Sequence, residues 1–292
     1  ICPDVNKWLR LGPKGIMEEA QQYLKTCNDE AKDFYEAIQI VMSGVCTFMM
    51  RYHDLLLEES KKEEHAEWKD NMIEVARICK SLSERPAQTF HEALQAVWFL
   101  FTVLHMESNA SSFSPGRLDE ILIPYYEKDV KKGILDEQKA LEMIECLWLK
   151  FNQIVLRNKN SAKYFAGFPI GFNIAIGGMD AHGNDYSNTL SHLFLTAQEH
   201  LGLPQPNLSV RLHKKTNDDL LKHAIRVVAK GSGMPQFFND ESIIPALMKS
   251  GIREEDAKDY AIVGCVEVTT QGNNLGWSDA AMFNLNKALE LT

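Results

Sequence analysis

The stretch AIVGCVEVTTQGNNLGWSDAAMFN, residues 261–284, is a run of β-forming residues closed by glycines. Together with the preceding tyrosine it predicts a strand over YAIVGCVEV, residues 260–268. Side chains of an extended segment alternate between faces, so Cys265 and Glu267 are expected to project into one space. Val266 is expected to point the other way, into packing. The pattern therefore predicts a site that contains a thiol and a carboxylate.

Upstream of this stretch, from Phe172 onward, strand and helix patterns alternate. The predicted order is strand 172–178, helix 185–202 with Asp185 or Ser187 near its cap, strand 206–213, helix 217–231, strand 234–240, helix 241–251 and strand 260–268. This alternation predicts an α/β fold with a parallel sheet, either open or closed into a barrel. Ligand sites of parallel sheets lie at the carboxyl ends of the strands. The residues expected at that end are Asn239, Asp240, Cys265 and Glu267.

The first half of the chain has a helical pattern instead. Apolar residues recur with helical spacing from about Gly15 to Met106, and a further helix is predicted over about residues 137–151. Between them, residues 108–129 are rich in Ser, Pro and Gly and are interpreted as a turn-rich connection. Residues 283–292 have helical spacing without a stop signal, which indicates a fragment that ends within a helix.

Composition restricts the classes of function. The chain has 292 residues, of which 45% are hydrophobic and 24% charged, as is ordinary for a globular protein with an ample core. The net charge of -9 argues against a nucleic-acid-binding surface, because neutralising phosphates requires clustered Lys and Arg. The expected partners are small molecules or other proteins.

The cysteines indicate neither a metal site nor a disulfide framework. All 6 are scattered along the chain without a C-x-x-C pair. No apolar run reaches the ~18 residues that a membrane span needs. We therefore expect reduced thiols in a soluble, cytoplasmic protein.

Cys265 and Glu267 also have a purely structural interpretation. A free cysteine is usually a small buried hydrophobe, and a glutamate at a strand end is usually solvated. The glycines that follow permit a tight backbone near the cysteine, and Ser278 or Asp279 can cap the next helix. A loop close to the cysteine is therefore expected.

At these residues the chain resembles the glycyl radical enzymes, in particular the branch of glycerol dehydratase, choline lyase and the pyruvate formate-lyase 2-type proteins. The resemblance is carried by the GCVE core and by GWSDAA, which fits a G-W-x-D-A-A pattern. Other stretches with the same likeness, in collinear order, are RPAQTFHEALQAVWF, PGRLDEILIPYYEKDV, NIAIGGMDAHGNDYSNTLSHLFL, QPNLSVRLH and FNDESIIPALMKSGI. The resemblance covers nearly the whole chain.

The resemblance implies a barrel of parallel strands in two halves, wrapped by helices, with a cysteine loop entering its centre. In this family a separate carboxy-terminal loop carries the radical glycine. An activating enzyme installs that glycyl radical with S-adenosylmethionine and an iron–sulfur cluster. The implied partners are this activating enzyme, a small-molecule substrate and a second copy in a homodimer, with no nucleic acid and no membrane. No cofactor is expected to be bound to the catalytic chain itself.

The resemblance also implies roles for individual residues. Cys265, as a thiyl radical, takes a hydrogen atom from the substrate, and Glu267 is the general base on a hydroxyl beside the radical carbon. Asp279 corresponds to a substrate-binding carboxylate, and Ser111 and Ser112 are further substrate-binding candidates. A hydrogen-atom donor must be a neutral thiol, so Cys265 is expected in an enclosed apolar cavity. The implied activity is a dehydratase-like radical elimination from a small polyol, diol or related compound in anaerobic metabolism.

Three departures from the family pattern narrow the activity. Gly264 stands where pyruvate formate-lyase has a second cysteine, which argues against formate production from pyruvate. Ser111 stands where glycerol dehydratase has a histidine, so protonation of a leaving hydroxyl by that histidine is not expected. Val268 stands where a proline usually follows GCVE.

The radical-bearing segment, which resembles R-V-x-G-Y in the family, does not occur among these residues. We therefore interpret residues 1–292 as the central part of a pyruvate formate-lyase-like barrel domain. Residues 1–157 are expected to be mainly helical, and residues 158–292 are expected to contain alternating strands and helices with the cysteine loop. The glycyl radical domain is expected to lie outside these residues, and this part alone is expected to be inactive.

Two other functions stay open. Cys265 could be the thiolate nucleophile of a hydrolase with Glu267 as its base. The chain could also be a non-catalytic scaffold for a missing half.

Several polar residues elsewhere are candidates for lesser roles. Arg117 and Asp119 are expected to pair with each other and to order their loop. Asn173, Arg211 and Asn239 lie near predicted strand ends, where they could contact substrate.

Overall fold

The computed structural model describes residues 1–108, 112–153, 171–274 and 283–291. The helical half begins with α1 Val5–Leu24, α2 Asp29–Ser60, α3 Ala66–Glu84 and α4 Phe90–Ser108. The chain continues with β1 Gly116–Arg117, α5 Leu118–Lys131, α6 Glu137–Phe151, β2 Asn173–Gly177 and α7 Thr189–Leu201. The remaining elements are β3 Asn207–Leu212, α8 Asp218–Val228, β4 Gln236–Asn239, α9 Asp240–Lys249, α10 Glu254–Lys258, β5 Tyr260–Val263, β6 Glu267–Thr270 and α11 Leu285–Glu290.

The helical half confirms the prediction in all but one segment. Residues 108–129 do not form only a turn-rich connection, because they contain β1 and most of α5. Leu118, Ile121 and Leu122 give α5 a buried apolar stripe with helical spacing. Pro124 lies inside this helix. A proline within an otherwise helical pattern usually marks a break, and here the packing of the stripe outweighs that local signal.

The predicted parallel sheet is confirmed. Its strands lie in the order β1-β2-β3-β4, and each neighbouring pair is parallel. Helices α7 and α8 connect β2 to β3 and β3 to β4, as expected for a sheet of an α/β barrel. The N-cap of α7 is Asn188, whose side chain accepts hydrogen bonds within a capping box, so the cap lies one residue after Ser187 and three after Asp185.

The two faces of the sheet have different chemistry. Ile174, Ile176, Leu208 and Val210 are fully buried on the face that packs against the helices, in one large apolar core. Burying each such side chain contributes about 1.5–3 kcal/mol. The residues between them point to the opposite face, because side chains alternate along a strand. That face is polar, and its buried residues include Asn173, Asn207, Ser209 and Arg211.

Across the described ranges, no helix combines the length and the apolar character that crossing a membrane requires.

Candidate active site

The cysteine stretch forms a β-hairpin instead of one continuous strand. β5 ends at Val263 and pairs antiparallel with β6, with Val263 opposite Glu267. The connection between them, residues 264–266, is called the cysteine loop below. Gly264 begins this loop with a φ of 61°, a conformation that is costly for any residue with a Cβ. The predicted strand over 260–268 is therefore wrong, because its internal glycine reverses the chain.

Both residues at the tip of the loop are exposed. Val266 is 57% exposed, so the prediction that it packs is wrong. Cys265 is also exposed, and the prediction that this chain encloses its thiol in an apolar cavity is wrong as well. The reason is geometric: a residue at the tip of a hairpin projects beyond both strands. Among the residues that the structure describes, none buries the tip.

The hairpin crosses the polar face of the sheet in the direction opposite to the parallel strands. At its start, the backbone oxygen of Tyr260 accepts a hydrogen bond from Arg211 Nη1 at 2.9 Å, near the carboxyl end of β3. At its tip, the backbone oxygen of Gly264 accepts hydrogen bonds from Asn173 and Asn207, the first residues of β2 and β3. The cysteine loop therefore lies at the amino ends of these strands.

The expectation that Cys265 and Glu267 share the carboxyl end of the sheet with Asn239 and Asp240 is thus wrong. The rule about carboxyl ends applies to strands of the parallel sheet, whereas β5 belongs, among the described residues, to a separate two-stranded sheet with β6. Asn239 caps α9, and its side chain accepts a hydrogen bond from the Glu241 backbone. That cap accounts for its polar side chain without a substrate.

The tip of the hairpin is anchored through both polar backbone groups of Gly264. Its oxygen lies 3.3 Å from Asn173 Nδ2 and 3.2 Å from Asn207 Nδ2. The N–H of Gly264 donates to Ser114 Oγ at 3.2 Å. Ser114 Oγ also accepts a hydrogen bond from the Asn173 backbone N–H at 2.9 Å. All three anchoring side chains are buried. The cysteine loop is therefore attached to the sheet immediately before Cys265.

Glu267 folds back over the cysteine loop. Its Oε2 accepts a hydrogen bond from the Val266 backbone N–H at 3.1 Å. A Cβ on Gly264 would lie 2.6 Å from that oxygen and 3.2 Å from Ser112 Oγ. The glycine thus leaves the space that the carboxylate and the hydroxyl occupy. Glu267 and Ser112 thus both lie beside Gly264, the residue that immediately precedes Cys265.

Ser112 has a strained backbone. Its φ is 70°, in the left-handed region that costs a residue with a Cβ about 1–2 kcal/mol. Such conformations persist only where the surroundings impose them, and they cluster at functional sites. The other two substrate-binding candidates, Ser111 and Asp279, lie outside the described residues, as does Ser278.

The base of the hairpin is held by a buried ion pair. Arg211 Nε and Nη2 lie 2.9 and 3.0 Å from the two carboxylate oxygens of Asp240, and Nη2 also donates to the Lys258 oxygen at 2.8 Å. The guanidinium stacks 3.9 Å from the ring centroid of Tyr260, whose hydroxyl donates to Asp240 at 2.7 Å. The guanidinium nitrogens of Arg211 are therefore all used in contacts within the fold. Arg211 does not serve as the substrate contact that its strand-end position suggested.

Arg117 also ties the base of the hairpin to the sheet, but not through Asp119. Its Nη1 lies 2.6 Å from Glu120 and 3.1 Å from Asp259, and its Nη2 donates to the Gly177 oxygen at 3.2 Å. Asp119 instead accepts the Gly177 N–H at 2.7 Å. The predicted direct pair is wrong, because each side chain bridges β1 and α5 to a different group on the neighbouring β2.

Neither Ser114 nor Asn207 is among the site residues predicted from the sequence. A signal for the asparagines is nevertheless present, because FNIAIGG and PNLSVRLH both carry an amide at the second position of a predicted strand. In the described ranges no group of three or more His, Cys, Asp or Glu side chains is placed to hold a metal ion. The chemistry available at this site is therefore that of a thiol, a carboxylate, a hydroxyl and amides.

Comparisons with known proteins agree with this geometry. Residues 1–292 match the family model described as pyruvate formate lyase-like. The sequence is 32% identical to (2S)-3-sulfopropanediol dehydratase of Klebsiella oxytoca, over 100% of this chain and 36% of that protein. The fold matches the glycerol-bound B12-independent glycerol dehydratase from Clostridium butyricum with a TM-score of 0.94 and 38% identity, over 100% of this chain and 38% of that chain.

A second solved structure, on 1,2-propanediol dehydration in Roseburia inulinivorans, matches with a TM-score of 0.94 and 37% identity, over 100% of this chain and 37% of that chain. These proteins are similar along the full length of the chain. The chain spans only about 36–38% of the length of these relatives.

Proposed function

Because this chain belongs to the pyruvate formate lyase-like family of glycyl radical enzymes, we propose that it is the central part of a dehydratase-type lyase. The proposed reaction is a radical elimination from a small diol, polyol or related compound. The names of the relatives support this class, since they concern sulfopropanediol, glycerol and 1,2-propanediol. Residues 1–157 would form mainly the helical layer, and residues 158–292 the strands and the cysteine loop.

One observation carries the proposal. The cysteine loop stands at the end of a hairpin that crosses the polar face of the sheet, and Glu267 is folded onto that loop by its hydrogen bond to the Val266 N–H at 3.1 Å. A thiol on this loop and a carboxylate on the first residue after it can act on the same substrate carbon and its hydroxyl. A purely structural cysteine would be expected in the core, whereas Cys265 is exposed.

A glycyl radical on a residue outside this chain would supply the unpaired electron. The residues present fit such a partner, because Cys265 is a free thiol at an exposed tip where another chain segment can reach it. In the proposed reaction Cys265 Sγ removes a hydrogen atom from a C–H bond of the substrate, which forms an S–H bond and leaves a carbon-centred radical. It later returns that hydrogen atom to the product radical.

Glu267 would take the proton from the hydroxyl on the radical carbon. Its Oε2 is held by the loop, so the carboxylate has a defined position from which its other oxygen can accept a proton. Loss of that proton makes expulsion of the group on the neighbouring carbon easier. For a 1,2-diol the leaving hydroxide takes up the proton held by Glu267, so that the products are an aldehyde and water and the carboxylate is regenerated.

The remaining roles concern binding and assembly. We propose Ser112 as a substrate-binding residue, because its hydroxyl already lies beside Gly264. Ser111 and Asp279 are proposed as substrate-binding residues on the family pattern alone. An activating enzyme that uses S-adenosylmethionine and an iron–sulfur cluster is the expected partner, and a homodimer is the expected assembly.

A hydrolase with Cys265 as nucleophile is less well supported. Such enzymes activate the thiol with a base that is hydrogen-bonded to it and is itself oriented by a third group. Within the described residues, no hydrogen bond joins Cys265 Sγ to a histidine or a carboxylate. Glu267 Oε2 instead accepts a hydrogen bond from the backbone N–H of Val266.

The test uses the full-length protein, activated anaerobically by its activating enzyme. A glycyl doublet in the electron paramagnetic resonance spectrum and aldehyde formation from 1,2-propanediol, glycerol or sulfopropanediol are the expected results. Glu267→Gln keeps an oxygen for the Val266 N–H but loses the base, so the radical should form while kcat falls by about 10²–10⁴. The proposal would be rejected if the full-length protein, after treatment with its activating enzyme, showed no doublet and turned over none of these compounds.

A further inference from the structure

The oxygen of Gly264 accepts hydrogen bonds from two buried side-chain amides on neighbouring strands. Asn173 and Asn207 are directly paired in the register of β2 and β3, so their side chains stand next to each other on the hairpin face. We propose that these two asparagines are positioning residues, which set where Cys265 presents its thiol to the substrate. This inference rests on the proposed function and adds two residues that do not themselves contact the reacting atoms.

The position of the Gly264 oxygen determines where the Cys265 side chain begins. The oxygen of Gly264, the nitrogen of Cys265 and the Cα of Cys265 lie in one peptide plane. Two donors at 3.3 and 3.2 Å fix the orientation of that plane. The starting point of the Cys265 side chain is fixed with it, since the Cα belongs to the plane.

The loop needs this support because little else holds it. A glycine at its start makes the backbone permissive, and the hairpin has only the two strands β5 and β6. Ser114 Oγ completes the anchor by accepting the Gly264 N–H at 3.2 Å. In a buried setting these hydrogen bonds are strengthened, and a carbonyl left there without a donor destabilises the loop.

A positioning role predicts a different defect from a merely structural one. Damage to folding lowers the amount of enzyme that can be activated, and the molecules that remain react normally. A misplaced thiol leaves activation intact and slows hydrogen-atom transfer itself, because a displacement of about 1 Å can reduce the rate by ~100-fold. The amount of radical and the substrate isotope effect distinguish these two cases.

The experiment uses Asn207→Asp in the full-length, activated protein. This substitution keeps the size of the side chain but places a carboxylate oxygen where an N–H donated to Gly264. We expect the number of spins per protein and the KM for 1,2-propanediol to stay near wild type, while kcat falls by about 10- to 100-fold. The deuterium isotope effect, with substrate deuterated at the carbon that loses hydrogen, should rise because that step becomes more rate-limiting.

Ser209→Ala is the matched control. Ser209 lies two residues further along the same strand, on the same face, and is buried. Among the described residues its Oγ has no hydrogen-bond partner. We expect spin count, kcat and isotope effect at wild-type values for this variant.

Each other outcome decides against the inference. An Asn207→Asp enzyme that matches Ser209→Ala, or that loses spins in proportion to kcat with an unchanged isotope effect, would show a structural role or none. If Asn207→Asp does not accumulate as folded protein, Asn173→Ala removes the other donor and is measured in the same way. If neither asparagine variant folds while Ser209→Ala behaves like wild type, the two amides are needed for folding and the positioning role is rejected. A wild type that lacks radical and turnover would instead reject the proposed function, and the positioning role with it.

Discussion

Gly264 is the residue on which the geometry of the site depends most. Its φ of 61° turns β5 into the cysteine loop, and its missing Cβ leaves room for the Glu267 carboxylate. Both of its polar backbone groups are bound by buried side chains. The GCVE motif therefore has a physical explanation at its first residue, in addition to the chemistry of its cysteine and glutamate.

Replacing this glycine should harm stability and activity for separable reasons. In Gly264→Ala the positive φ is expected to cost about 1–2 kcal/mol of unfolding free energy. The new Cβ would lie 2.6 Å from Glu267 Oε2, so the carboxylate must move and turnover should be largely lost. Chemical denaturation and turnover of the activated enzyme measure the two effects.

Gly133→Ala is the control, because Gly133 has a φ of 70° with no atom within 4 Å of its added Cβ. It should lose similar stability and keep its turnover. Equal turnover in the two variants would show that the space at Gly264 is not needed by the carboxylate.

A buried histidine gives the fold a dependence on pH. His105 Nδ1 lies 2.7 Å from the Phe101 oxygen, and its ring packs on Phe101 and Phe113 with centroid distances of 4.2 and 5.2 Å. Among the described residues, its Nε2 has no hydrogen-bond partner. Burial lowers the pKa of His105 below its usual value of 6.5, and the hydrogen bond to Phe101 only partly offsets this.

The unfolded chain therefore binds a proton at His105 at a higher pH than the folded chain does. The unfolding free energy should fall as pH drops below about 6.5, and this loss is complete below the folded-state pKa. In His105→Asn, the part of this decrease in unfolding free energy that comes from His105 should disappear. Urea denaturation between about pH 7 and pH 5 measures the difference. Replacing the exposed His182 in the same way is the control, and an identical slope in wild type and His105→Asn would contradict the assignment.

At the scale of elements, the hairpin is attached to the sheet at both ends by different chemistry. Neutral amides and a hydroxyl hold its tip, and buried arginines hold its base. The Arg211–Asp240 pair is fully buried, so the removal of one charge leaves the other without a counter-charge. We therefore expect substitutions at the base to lower stability more, and substitutions at the tip to lower activity more.

Asp240→Asn should therefore lower the unfolding free energy by about 3–5 kcal/mol. Tyr260→Phe removes only the hydroxyl that donates to Asp240 and should cost about 1 kcal/mol. Denaturant midpoints of the two variants provide the comparison. A cost for Asp240→Asn no larger than that for Tyr260→Phe would show that the ion pair does not hold the hairpin.

The secondary structure elements differ in how well the sequence predicts them. β2, β3 and β4 are found correctly, because each is a short run of β-forming residues followed by a clear helix pattern. β5 and β6 merge into one predicted strand, since local periodicity does not contain the φ of Gly264 or the pairing of Val263 with Glu267. α5 is missed because Pro124 outweighs its apolar stripe in a local reading.

Within the site, residue identity is easier to predict than position. The motif proposes Cys265 and Glu267 as site residues, and in the structure Glu267 accepts a hydrogen bond from the backbone of the cysteine loop. Their place at the amino ends of the strands was not predictable, since it depends on contacts with Asn173 and Asn207 that are far away in sequence. The exposure of Cys265 likewise depends on which segments cover the hairpin tip, which local patterns do not report.

At the scale of the whole molecule, the chain spans about 36–38% of the length of its relatives. We propose that segments of the full-length protein outside this chain meet the exposed thiol and close the substrate chamber around it. This explains how a thiol that is exposed here could react in a water-poor site. The family similarity over residues 1–292 and the hairpin geometry both support this assembly.

The most direct test of the account is the turnover per glycyl radical of full-length Cys265→Ala, activated in parallel with the wild type and with Cys146→Ala as the exposed-cysteine control. We expect all three proteins to show the glycyl doublet, and only Cys265→Ala to form no aldehyde from 1,2-propanediol. Aldehyde formation by Cys265→Ala at the rate of the control would contradict the central claim that this thiol takes the hydrogen atom.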